Sequence, residues 1–174
     1  MKAEISLKNK KYFEIFIGKR VLKEEVFNST GEIPVYSANV FTPFGFLDKS
    51  NIKEDDFKYD YLLWGIDGKF EFNIIKAGTI FATTDHCGAI KILDKNISPE
   101  YLLYELEIQS HILGFDRTLR PSLTNMESVS VKIPFEKERP DIKLQKELLN
   151  QYMSLNKIKD ILKAEIEDLN NINL

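Results

Sequence analysis

Cysteine is nearly absent: Cys87 stands alone among 174 residues. No intramolecular disulfide is possible, and a reducing compartment fits. Histidine is scarce too, with His86 and His111 only, so the four nitrogen or sulfur ligands of a structural zinc site cannot be assembled and no metal is expected. No run of 18 apolar residues occurs and residues 1–15 carry charges throughout, which predicts neither a membrane span nor a signal peptide. Neither sign of charge dominates. The 24 Lys and Arg face 27 Asp and Glu, a net charge of −3, which excludes a generally basic nucleic-acid coat protein but not local basic patches. With 43% hydrophobic residues the chain can still build a core, so disorder is not expected. The expectation is a soluble, cytoplasmic protein.

Catalytic signatures are missing as well. The chain holds no phosphate-cradling G-x-x-x-x-G-K-[ST], no G-x-G-x-x-G, no H-E-x-x-H and no G-x-S-x-G. The adenine-methylating Asn-Pro-Pro-aromatic tetrapeptide does not occur. Asp56-Phe57-Lys58 imitates the end of a metal-dependent nuclease motif, but Asp-x-Lys arises by chance in any charged loop. Asp85-His86-Cys87 follows a strand, where neighbouring side chains point apart. That suits a polar contact surface, with Thr84 and His86 as candidates, better than a catalytic triad.

Glycine and proline are unevenly spread. All eight glycines and all six prolines fall within residues 1–140, and none follows. Turn punctuation therefore predicts a strand-rich domain at 1–140 and one uninterrupted helix at 141–174. Within the domain, short apolar or alternating runs lie between turn signals: 12–17, 33–40, 44–47, 61–66, 69–76, 79–84, 89–93 and 129–133. Residues 101–113 instead carry a helical stripe. Ser98 is placed to cap it, Pro99 to open it and Gly114 to close it. The fold class is thus α+β, a compact strand-rich unit with an internal helix and a long C-terminal coiled-coil helix. The stretch 135–139 between Pro134 and Pro140 reads as a hinge or loop.

Leu148, Leu155, Leu162 and Leu169 recur every seven residues in the C-terminal segment. A seam of that period asks for a helical partner, so these four leucines are the candidate dimerisation face. A long helix folded back on its own domain is the competing reading.

Three groups could touch nucleic acid. Residues 1–23 hold seven basic side chains against two acidic ones, and Lys19, Arg20 and Lys23 follow the Gly18 turn. The segment 115–126 holds two of the four arginines, Arg117 and Arg120, with Ser122, Thr124 and Asn125 beside them. An arginine fork can grip a guanine edge or a phosphate, although an ion pair with Asp116 or another acid within the domain is an equal alternative. Ser37 and Asn39 lie two apart and would share one face of a strand, with Val40 facing the core. Asp67-Gly68-Lys69 adds another loop, with Lys69 as its cation, while Trp64 reads as core.

The order of these features resembles a known family. G-K-R-V-L-K (18–23), G-E-I-P-V-Y-S-A (31–38), G-F-L-D (45–48), L-W-G-I-D-G (63–68) and T-T-D-H-C-G (83–88) come first. A helix opening P-E-Y-L follows, then F-D-R-T-L-R-P-S-L (115–123), a V-x-V-x-I-P strand (129–134) and a Q-K-E-L-L helix (145–149). Across essentially the whole chain this is similar to the target recognition domain of type I restriction–modification specificity subunits and to the recognition domains of type IIG enzymes. The resemblance implies a non-catalytic specificity subunit, without cofactor, that binds duplex DNA. It would direct a DNA adenine methyltransferase subunit, and an ATP-dependent restriction nuclease subunit, to a bipartite site. Family members carry two recognition domains in tandem, separated by long helices. A chain with one of each implies either a homodimer or a piece of a larger protein. A protein-interaction module that dimerises through its helix, and a Mg-dependent nuclease using Asp56 and Lys58, are the alternatives.

Overall fold

The computed structural model describes residues 1–67, 70–115 and 119–171. Its centre is a four-stranded antiparallel sheet in the order β2 (Phe13–Ile17), β8 (Cys87–Ile92), β5 (Tyr61–Gly65), β6 (Phe72–Ile75). The two middle strands are buried on both faces. Leu62, Trp64, Ile90 and Ile92 point into a larger core, whereas Tyr61, Leu63, Cys87 and Ala89 point into a smaller one. This explains why 61–64 reads as an unbroken apolar run rather than an alternating strand.

The larger core is closed by α2 (Pro99–Leu113) and by the sheet β1 (Lys2–Ser6), β9 (Ser130–Glu136), β10 (Arg139–Pro140). The sequence signals for α2 hold. The Ser98 hydroxyl accepts from the Tyr101 amide, Pro99 occupies the first turn, and Gly114 ends the helix at φ 63°. Tyr101, Leu102 and Leu106 are buried, but Leu113 falls outside the core. The smaller core lies beneath a third sheet, in which β3 (Ile33–Tyr36) pairs antiparallel with β4 (Gly45–Leu47) and parallel with β7 (Ala82–Thr83).

Two expectations need correction. The stretch 135–139 is no hinge: β9 runs to Glu136 and turns through Lys137, at φ 56°, into β10, which pairs back on it. Ser37 and Asn39 do not share a strand face, because β3 ends at Tyr36 and the chain bends. Short helices α1 (Lys23–Asn28) and α3 (Leu123–Glu127) complete the domain.

α4 (Ile142–Asn171) is the long C-terminal helix. Its first turns belong to the domain. Gln145 is fully buried, accepting from the Ser98 amide at 2.9 Å and donating to the Asn96 carbonyl at 2.9 Å. Leu148, Leu149 and Tyr152 pack on the larger core, and Tyr152 stacks on Tyr104 with centroids 4.2 Å apart. Beyond Tyr152 the helix stands free of it.

Candidate nucleic-acid interface

One end of the sheets is knitted from four segments. The Gly18 amide donates to the Cys87 carbonyl and the Lys19 amide to the Thr83 carbonyl. The Thr84 amide donates to the Tyr36 carbonyl, and the Ile66 amide to the His86 carbonyl. Gly18 is required there: a Cβ would sit 2.3 Å from the Thr83 carbonyl oxygen and 2.4 Å from its hydroxyl. Asn51 acts as a surrogate strand partner, donating to the Thr83 carbonyl at 2.6 Å and accepting from its amide at 3.2 Å.

On this frame Lys19 and Arg20 are exposed beside an open cleft of about 610 Å³ that also includes Lys49. The acids at its rim are engaged internally: Glu25 accepts from the Leu22 amide, and Asp48 from the Ser29 and Thr30 hydroxyls. Among the described residues, Lys19, Arg20 and Lys49 have no carboxylate within ion-pair distance. Lys23 is exposed at the start of α1.

The turn after β7 places His86 outward and Cys87 inward. Burial pushes the Cys87 thiol up to about 12, so it is an inert core group. Thr84 corrects the sequence reading: it is 2% exposed and serves as scaffold, its hydroxyl donating to Ser37 and accepting from the His86 amide. Ser37 is half-buried at the same edge. Asn39 is exposed, but its side-chain oxygen accepts from the Phe41 and Thr42 amides, so bidentate pairing with adenine is not open to it.

Arg120 joins His86 through Asp67. One carboxylate oxygen of Asp67 contacts His86 Nδ1 at 2.5 Å, and the other lies 3.2 Å from an Arg120 terminal nitrogen. The segment carrying Arg120 is fastened from below, because Trp64 donates its indole N–H to the Pro121 carbonyl at 2.7 Å. Ser122, expected as a contact, caps α3 by accepting from the Asn125 amide. Thr124 is exposed on α3 rather than in a loop. Lys69 and Arg117 lie outside the described residues. Asp67 was readable only as part of a turn, since nothing in the local sequence announces a bridge to residue 120.

On α4, Leu148 is core rather than seam. Leu155, Leu162 and Leu169 are exposed, Ile158 and Ile166 extend their stripe, and Met153 and Ile161 are exposed outside it. Asp56 is not available as a nuclease carboxylate: the Lys91 ammonium sits 2.6 Å from it and 2.9 Å from Glu14. Among the described residues no three His, Cys, Asp or Glu side chains are grouped to hold a metal, and no helix is long and apolar enough to cross a membrane.

No family model matches the chain. Curated relatives do. The type I restriction enzyme MpnII specificity subunit of Mycoplasma pneumoniae is 28% identical over 145 residues, covering 83% of this chain and 42% of the relative. A second protein of that organism, provisionally described as a type I specificity subunit, is 26% identical over 151 residues, covering 86% and 39%. The chain is similar to type I specificity subunits. Among solved structures, the type I S subunit of M. genitalium superposes with a TM-score of 0.59 at 20% identity, over 98% of this chain and 43% of that one. The HsdS subunit of Thermoanaerobacter tengcongensis gives 0.65 at 11% identity, over 94% and 39%. These two share the fold. The chain spans between 39% and 58% of the length of the first five curated relatives.

Proposed function

We propose that this chain is a DNA-reading specificity component of a type I restriction–modification system, itself without catalytic chemistry. It binds duplex DNA and directs an adenine methyltransferase subunit, with a restriction nuclease subunit, to a bipartite site in the cytoplasm. The observation that carries the reading is the shared edge where Lys19, Arg20, Ser37, His86 and Arg120 gather on one hydrogen-bonded frame. Cations in that set suit phosphate contact, while the histidine, serine and arginine can reach base edges. A net charge of −3 limits phosphate attraction, so the methyltransferase partner supplies part of the affinity. Competition gel shifts with the full chain and that partner test this: one duplex sequence should outcompete others, and equal competition by all duplexes rejects it.

A second copy of the chain covers the free half of α4. Each longer relative has room for roughly another unit of this size, and the exposed stripe on α4 supplies the face. Residues 153–171 extend about 28 Å at 1.5 Å per residue, of the order of one DNA turn of ~34 Å. The unit is thus a reader at 1–152 with a spacing rod beyond it, and a twofold pair would read a palindromic, interrupted site. Light scattering should give twice the chain mass. A monomer at micromolar concentration rejects the pairing. The nuclease alternative is removed if plasmid with Mg²⁺ and this protein alone stays intact.

A further inference from the structure

We propose that Asp67 is a positioning residue for DNA reading, aligning His86 and Arg120 as one donor–acceptor pair aimed at a base edge. This rests on the DNA-reading assignment above and names how that edge would discriminate sequence.

The geometry is specific. Asp67 divides its two carboxylate oxygens between the two side chains, at 2.5 Å to His86 Nδ1 and 3.2 Å to Arg120. A carboxylate only accepts, so Nδ1 carries the proton and donates. In the neutral ring Nε2 then presents a lone pair as an acceptor. Arg120 spends one terminal nitrogen on Asp67, and among the described residues the rest of its fork makes no ion pair. The pair therefore offers an acceptor and a set of donors side by side, with 55% and 64% of their side-chain surfaces exposed. Asp85, at 3.8 Å from Nε2, is too far to hydrogen-bond the ring.

Asp67 is not needed to hold the loop. The 119–122 segment is already tied by Trp64 to the Pro121 carbonyl, by Asn125 to the Arg120 carbonyl and by the Ser122 cap. His86 likewise has its backbone fixed through Thr84 and Ile66. Among the described residues, Asp67 is the group that pairs with both side chains and so sets where they point together. Its charge also offsets that of Arg120, which weakens generic phosphate attraction and favours a contact made by hydrogen-bond pattern.

The test uses the full chain together with its methyltransferase partner, with selection from a duplex library randomised across the target length. Salt-dependent binding to a mixed-sequence duplex is measured in parallel, and thermal melting checks the fold. Asp67→Asn should melt like the parent and lose preference by about 5- to 150-fold at the same one or two base pairs that His86→Ala and Arg120→Ala lose. It should also steepen the salt slope on mixed-sequence DNA by about 0.9, because one cation is released from its partner. An unchanged motif in Asp67→Asn, with those positions lost in Arg120→Ala, overturns the proposal and leaves the DNA-reading assignment standing. Uniform loss of every position with a lowered melting temperature makes Asp67 a fold residue and also overturns it. A parent chain that enriches no sequence brings down the DNA-reading assignment itself, and this role with it.

Discussion

Lys91 is a cation placed where a strand would normally carry an apolar side chain. It is 6% exposed, between Asp56 and Glu14 and 4.8 Å above the Tyr59 ring. Burial alone would lower its proton affinity, but hydrogen bonds to Asp56 and Glu14 outweigh that and carry it above 10.5. A group with a raised folded pKa stabilises fully below the unfolded value and loses that contribution as pH rises through the folded one. Tyr61, raised chiefly by burial, adds to the same edge, since its unfolded form ionises first. Stability should therefore fall from about pH 10 upward. Lys91→Met should be less stable at neutral pH and show a shallower alkaline decline in urea titrations. Cys87 gives a second residue-scale expectation: at pH 8 a thiol reagent should label it only on unfolding, because burial keeps it protonated and inaccessible. Gly88 gives a third. A Cβ there meets the Trp64 ring at 2.1 Å, so Gly88→Ala should cost about 1–3 kcal/mol. Trp64 fluorescence should shift as its bond to Pro121 is disturbed.

At the scale of elements, the signals that were legible are those whose causes are local. Ser98, Pro99 and Gly114 announce both ends of α2, and alternation or apolar runs locate β2, β5, β8 and β9. Ser98→Ala should lower stability by about 1 kcal/mol, measurable by chemical denaturation. The elements not foreseen depend on distant partners. Helices α1 and α3 are six and five residues long, too short to show a period. β10 is two residues that pair only because β9 lies beside them. Thr84, Asn39 and Ser122 carry the right chemistry for contact, yet their oxygens are spent inside the fold. The heptad in α4 is real, but its first leucine is claimed by the domain, which no repeat can reveal. Two substitutions separate these roles. Leu148→Ala should destabilise the domain by about 1–3 kcal/mol without changing the association state. Leu162→Asp should abolish pairing in light scattering and leave the melting of the domain unchanged.

At the scale of the molecule, Gln145 couples the domain to the long helix. Its amide is sealed between Ser98 and Asn96, at the end of α2 that faces α4, and Tyr152 stacks on Tyr104 two turns further along. A joint fastened by buried hydrogen bonds and, two turns along the same helix face, by stacked rings resists rotation of the helix against the domain. A loosely tethered pair of readers would tolerate many gaps between half-sites. If two copies pair as proposed, such a joint would keep one stride, so a gap altered by a single base pair would have to be absorbed by twisting the duplex. Under the proposed function the rod would work as a gauge, with the number of unread base pairs written in its length.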